Sequence, residues 1–253
     1  MLTHRVIACL DVKGGRVVKG TNFVNLRDSG DPVVLAERYE AQGADEIVYL
    51  DISATDEGRG TLLDLVRRTA ERLFIPLTVG GGMRTVDDIA SALRAGADKT
   101  AINSAAVRRP ELLTQAASRF GSQCIVASID ALRRDATWEV YVNGGRKPTG
   151  LEAIDWAVRC AELGAGEILL TSIDRDGARS GYDIELVSRV ARAVPVPVVA
   201  SGGAGSARDV ADVFIRGGAD AALLAGVLHD GTTDIRDVKS ALQAANIPVR
   251  AAA

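Results

Sequence analysis

YEAQGADEIVYLDIS, residues 39–53, returns as CAELGAGEILLTSID at residues 160–174, with Glu46 falling on Glu167. FIPLTVGGGMRTVDD (74–88) repeats as PVPVVASGGAGSARD (195–209) at the same offset of 121, which sets Gly82 on Gly203. One inserted residue later AGADKTAINSAAV (95–107) matches GGADAALLAGVLH (217–229), so Asn103 falls on Ala225, and near the start Asp11 falls on Asp130. Self-similarity over this length means that a multi-element unit has been duplicated.

Around these stretches, apolar strand-like runs alternate with helix-period segments throughout the chain: VIACLDV, EIVYLDIS, LTVGGG, KTAINSAAV, CIVASID, ILLTSID, VPVVASGG and AALLAGV are each followed by a helical pattern. The helices carry their punctuation, with Asp31 before Pro32, Thr85 and Ser206 as N-caps, and Gly43, Gly96 and Gly164 as stops. Eight βα units in 253 residues predict one (β/α)8 barrel, with half-barrels at about 1–121 and 122–247 and a flexible tail at 248–253. A doubly wound open sheet is the competing architecture, but it does not predict a half-to-half match of four βα units.

A hydrophobic share of 47% with only 4% aromatics predicts a globular core of Val, Ile, Leu and Ala. The formal charge of -3 and the lack of a basic tail argue against nucleic acid as a partner. MLTHRVIACLDV is too short and wrongly flanked for a signal peptide, no run reaches membrane-spanning length, and a cytoplasmic protein is expected. Three cysteines (Cys9, Cys124, Cys160) without CxxC spacing and two histidines (His4, His229) make no zinc set, so neither a metal nor another cofactor is expected.

In a barrel of this kind the βα loops beyond the C-terminal strand ends form the mouth of the site. Asp11 and Asp130 end the first and fifth predicted strands, two positions after the small inward residues Cys9 and Ser128. Strands one and five lie opposite each other in a ring of eight. Two carboxylates across a pocket, with no metal ligand nearby, suit a general acid and a general base acting on opposite ends of one substrate. A strand-ending aspartate also serves to bond turn amides; its occurrence at matching places in both repeats favours chemistry.

The loops GGGMRT (80–85) and SGGAGS (201–206) place the amides of Gly81, Gly82, Gly202 and Gly203 beside helix N-termini, where unpaired N–H groups attract an anion. Neighbouring strand ends supply Asn103 and Ser104 in one half, Ala225 and Gly226 in the other. Two such loops at related positions imply a substrate phosphorylated at both ends. The segments after strands one and five, about twenty residues each, read as lids or binding loops. Lys19, in KGGRVVKG (13–20), is a candidate to reach over the site from the first of them.

CLDV, KGGRVVKGTNF, GDPVVLAERYEAQGADEIVYLDI, VGGGMRT, GADKTAINSAAV, FGSQCIVASIDA, GGRKPTGLEA, GAGEILLTSIDRDGARSGYD and VVASGGAGS together resemble the cyclase subunits of imidazole glycerol phosphate synthase over nearly the whole chain. The sister isomerase of histidine biosynthesis is similar in fold and paired aspartates, but GSQCIVASID, ILLTSIDRDG and KTAINSAAV look like the cyclase. Ala8 departs from the family's usual proline, which concerns strand geometry and puts no functional residue in doubt. The resemblance implies that ammonia from a glutaminase converts a bisphosphorylated ribulosyl-formimino aminoimidazole carboxamide ribonucleotide into imidazole glycerol phosphate and aminoimidazole carboxamide ribotide. It also implies that Asp11 and Asp130 are the acid/base pair and that Thr171, Asp176, Gly177 and Ser201 contact the substrate.

Glu46, Lys99 and Glu167 each follow a G-A-x turn and start alternate strands, so they fall in one layer at the barrel floor, where Ala221 leaves room and Arg5 approaches from the neighbouring strand. A salt-bridge network that merely closes the floor is one reading. The resemblance favours the other, an ammonia gate with the glutaminase docked on the N-terminal face. A sister isomerase would have no use for such a gate, and a non-catalytic phosphate-binding scaffold would have none for the paired aspartates.

Overall fold

The computed structural model describes residues 2–21, 24–52 and 59–251, and for 19–21, 24–28 and 59–61 it describes backbone only. The strands of the first half are β1 (Arg5–Lys13), β2 (Arg16–Thr21), β3 (Val24–Gly30), β4 (Glu46–Asp51), β5 (Leu77–Gly80) and β6 (Lys99–Ile102). Those of the second are β7 (Ile125–Arg134), β8 (Thr137–Val142), β9 (Lys147–Glu152), β10 (Glu167–Ser172), β11 (Val198–Ser201) and β12 (Ala221–Leu224). Helices α1 (Pro32–Ala41), α2 (Arg59–Ala70), α3 (Val86–Arg94), α4 (Ser104–Arg108) and α5 (Glu111–Phe120) belong to the first half. The second half has α6 (Ala153–Glu162), α7 (Ile184–Ala193), α8 (Ala207–Ile215), α9 (Gly226–His229) and α10 (Ile235–Ala244).

Eight parallel strands close in the order β1, β4, β5, β6, β7, β10, β11, β12, with β12 pairing back onto β1. Parallel strands with helices between them bury both faces, which is why their sequences are nearly unbroken apolar runs. One face packs on the helices; the other forms a separate interior cluster of Ile7, Cys9, Val48, Ala101, Val126, Leu169, Val199, Ala221 and Leu223. Asp31, Thr85 and Ser206 cap α1, α3 and α8 as the sequence suggests.

The G-A-D turns explain how strand starts are held in register. Asp45, Asp98 and Asp220 each stand one residue before a strand and accept the backbone N–H of the preceding barrel strand, from Val6 at 2.8 Å, Leu77 at 2.8 Å and Val198 at 2.9 Å. Each carboxylate therefore stitches two neighbouring strands where the ladder begins. Gly166 holds the fourth place because a Cβ there would lie 2.3 Å from the carbonyl oxygen of Ser122.

Two expectations are corrected. Asp11 and Asp130 do not end their strands: β1 and β7 run on past them to Lys13 and Arg134. The segments that follow are not loops but antiparallel arms, β1–β2–β3 and β7–β8–β9, one for each half. Short alternating runs such as TWEVYV, joined through residues at positive φ (Gly14, Gly15, Asn143, Gly144), give these arms their hairpin turns.

Asp45 also receives Lys239 of α10 at 2.8 Å, with both side chains 3% exposed. Lys239→Met should lower stability by about 3 kcal/mol in urea unfolding, because it strands a buried carboxylate. Adding Asp45→Asn should recover part of that loss.

Candidate active site

β1 and β7 stand four places apart in the ring, so Asp11 and Asp130 face the mouth from opposite walls. Asp176, in the turn after β10, adds a third carboxyl whose charge acts on both. Burial, reinforced by Asp176, raises Asp11 and Asp130 from 3.8 to about 7; the hydrogen bond from Asn103 Nδ2 to Asp130 Oδ2, 2.9 Å, works the other way. Asp176 is itself raised by burial and held back by the backbone N–H of Gly177. Carboxyls that titrate near neutrality can both give and take a proton at working pH. Asn103, expected beside a phosphate, thus also holds Asp130, while its Oδ1 is buried without a hydrogen-bond partner among the described residues. A bound donor would relieve a cost of about 1–3 kcal/mol there.

The remaining candidates cluster around this mouth. Thr171 and Ser201 sit at paired positions at the ends of β10 and β11. Gly81 and Gly203 are required by packing, since a Cβ would come to 2.3 Å from the carbonyl oxygen of Asp51 in one case and of Gly181 in the other. At Gly82 (φ +67) a Cβ would meet nothing within 4 Å, so its surroundings are open. Gly202 matches Gly81 in the other half and also approaches backbone, at Ser172. Lys19 lies on β2 with its side chain outside the described residues.

The source of unpaired amides differs from the sequence expectation. α3 and α8, which follow the glycine loops, are closed by capping boxes: Thr85 with Asp88, and Ser206 with Asp209. Among the described residues no side chain caps α4 or α9, whose N-cap residues Asn103 and Ala225 share an unusual conformation (ψ -92 and -87). Helix-end N–H groups without a side-chain cap are therefore found at the starts of α4 and α9, at Ser104 and Gly226, and not at those of α3 and α8. The Ser104 hydroxyl accepts the N–H of Asn143 at 2.9 Å, which ties the turn of the second arm to α4.

At the opposite end of the barrel the four floor residues meet in a closed ring. Arg5 bonds Glu46 at 3.0 Å and also Glu167; Lys99 bonds Glu46 at 2.9 Å and Glu167 at 2.8 Å. The glutamate side chains are 3% and 8% exposed, the two cations 23% and 18%, so the cations face outward. Thr78, which the sequence reading did not include, donates its hydroxyl to Glu46.

A barrel of two repeated halves, with opposed carboxyls between two glycine loops at one end and a charged ring at the other, defines a narrow class of α/β-barrel enzymes. The family model described as "Histidine biosynthesis protein" matches residues 5–234. The chain is 64% identical over 250 residues to "Imidazole glycerol phosphate synthase subunit HisF" of Myxococcus xanthus, covering 99% of both chains. It is 59% identical over 250 residues to the protein of that name from Acidobacterium capsulatum, again covering 99% of both. With the one from Alkaliphilus metalliredigens it shares 57% over 251 residues, 99% of this chain and 100% of the relative. The chain belongs to the histidine biosynthesis protein family, with the HisF subunits of imidazole glycerol phosphate synthase.

Because folding raises both aspartate pKa values, the native state binds more protons than the unfolded chain between about pH 4 and pH 7, and stability falls as pH rises through that window. Asp130→Asn removes the share of this liability that Asp130 carries. It should stabilise the fold at pH 8 by on the order of 2 kcal/mol, a rise in melting temperature of about 5 °C, and by much less at pH 5. Thermal melts at the two pH values check this.

Proposed function

We infer that this chain is the cyclase subunit of imidazole glycerol phosphate synthase, a lyase of histidine biosynthesis. It takes ammonia from a glutaminase partner and converts the bisphosphorylated ribulosyl-formimino aminoimidazole carboxamide ribonucleotide into imidazole glycerol phosphate and aminoimidazole carboxamide ribotide. The observation that carries this reading is the pair of carboxyls raised to about 7 on opposite walls of one mouth. Ring closure and cleavage require protons to be taken at one position and delivered at another, and two groups poised near neutrality can do both. Asn103 orients Asp130, and the uncapped starts of α4 and α9 with the glycine loops hold the two phosphates, one in each half.

The other end fits delivery of ammonia. Between the floor ring and the aspartates the interior is lined by apolar side chains, several of them small, such as Ala101 and Ala221. Neutral ammonia crosses such surroundings far more readily than ammonium ion. A swing of Lys99 away from Glu46 and Glu167 would open the ring. Leu2, Phe74 and Ile215, 95%, 94% and 67% exposed, stand at the ends of elements on that N-terminal side and support it as the docking face for the glutaminase.

Asp11→Asn and Asp130→Asn should each lower ammonia-dependent turnover by a factor on the order of 10² or more while the substrate still binds. Near-normal turnover in either variant removes that residue from the acid/base pair. Lys99→Met, assayed folded and with the glutaminase present, should change the glutamine-dependent rate more than the ammonium-dependent one. An unchanged ratio would leave the ring as a structural salt bridge.

A further inference from the structure

On the outer wall of the barrel, α7, the end of α8 and the root of the second arm enclose an open groove of about 620 Å³. Its charged lining is Arg133, Arg175, Arg189, Arg192 and Arg216 against Asp183 and Glu185. Both acids are already engaged. Glu185 is shared by Arg133 at 2.9 Å and Arg189 at 2.7 Å, while Asp183 accepts the Trp138 Nε1–H at 2.9 Å and the Leu186 N–H at 3.1 Å. Arg175 donates to the neutral hydroxyl of Ser180 at 3.2 Å, and Arg216 approaches Asp212 only to 3.9 Å. Arg192 has no acidic partner among the described residues. Positive charge is left in surplus along the groove.

Part of that surplus is held in place. The guanidinium groups of Arg133 and Arg189 lie over the ring of Trp138, 4.7 Å and 5.2 Å from its centroid, and Trp138 is fully buried and fixed by Asp183. Stacked guanidinium forks lose less freedom when they bind a planar or tetrahedral oxyanion. The cations are also strung out: Arg133 and Arg175 flank the start of α7, Arg189 and Arg192 lie a turn apart on it, and Arg216 stands at the end of α8. α7, ten residues long, spans about 15 Å. One small anion could meet only a fraction of these donors, whereas a chain of linked anions could meet most of them.

We propose that this groove binds an oligophosphate, free or carried by a nucleoside, at a site separate from the catalytic mouth. Linked phosphates offer several charged oxygens along one chain, and Arg–phosphate pairs form two parallel hydrogen bonds where no carboxylate takes up the fork, as at Arg192 among the described residues. The groove shares its back wall with the active site. Arg175 is the neighbour of Asp176 and packs beside Gly203, and the backbone N–H of Arg133 donates to Asp174 at 2.8 Å. The proposal uses no step of the reaction and stands or falls apart from it.

The test is calorimetric titration of the purified chain with inorganic tripolyphosphate, and separately with ATP, at about 0.15 M salt so that diffuse attraction is screened. Arg192 and Arg216 are exposed and outside the catalytic machinery, so Arg192→Glu/Arg216→Glu is expected to fold, which circular dichroism checks. Binding of either probe to the parent, weakened at least tenfold in the double variant, supports the groove. Displacement of tripolyphosphate by ATP would extend the site to nucleotide-borne chains, and failure of ATP to displace it would assign the site to the free chain. Absence of binding by both probes, or binding equally strong in the folded double variant, overturns the proposal.

Discussion

Two carboxylates buried at the floor of a barrel are costly unless each is met by positive charge, and the ring of Arg5, Glu46, Lys99 and Glu167 meets each of them twice. The ring joins β1, β4, β6 and β10, so it ties the two halves together across the interior as well as through their edges. Removing one cation leaves both glutamates with a single cation, which differs from stranding a charge outright. A layer of aliphatic side chains would close the floor about as stably. On the proposed function, charge in this place serves what the floor passes and not only what it holds.

The repeat shows how that floor departs from symmetry. Glu46 and Glu167 are equivalent, but the equivalent of Lys99 is Ala221 and that of Arg5 is Cys124, so both cations come from the first half. The strand-start carboxylates diverge in a related way. Asp45, Asp98 and Asp220 stitch their strands, whereas Gly166 yields its place to the backbone of the 3-10 turn Ser122–Cys124. At the mouth the uncapped starts of α4 and α9 keep matching geometry, although Asn103 reaches Asp130 and Ala225 has no side chain that could do the same.

The barrel was legible in the sequence because buried parallel strands and amphipathic helices have distinct periods, and a repeat doubles the signal. The floor ring was legible for a similar reason: charged residues opening three strands after the same turn can only meet inside. The arms were not, since β2 and β8 are short strands whose partners are supplied by the run-on of β1 and β7. Periodicity identifies buried faces, not the point where a strand leaves the barrel. The capping residues Thr85 and Ser206 were identified, but their partners Asp88 and Asp209 sit three residues on, and their effect is to occupy the helix ends that the glycine loops seemed to offer. Asp176 as a third interacting carboxyl depends on the path of an irregular turn, which no sequence period encodes. Thr78 escaped notice because a threonine in a strand is ordinary until a glutamate is found beside it.

The two ends of the barrel treat charge in opposite ways, and the proposed reaction gives both a common reason. At the floor, opposite charges are paired into a closed ring; at the mouth, three carboxyls are buried, and that burial, with the charge of Asp176 acting on the other two, raises their proton affinities. Ammonia attacks only as the neutral molecule, and a fully ionised trio of carboxylates would bind ammonium ion and hold it in its unreactive form. Carboxyls raised to about 7 are partly protonated at neutral pH, which lowers the negative potential at the mouth while leaving a base available. The paired floor carries no net charge, which limits how strongly the apolar interior between the two ends favours protonation of the incoming molecule. On the proposed reaction, the energetic burden of burying these aspartates falls at the place where a proton must be both accepted and released.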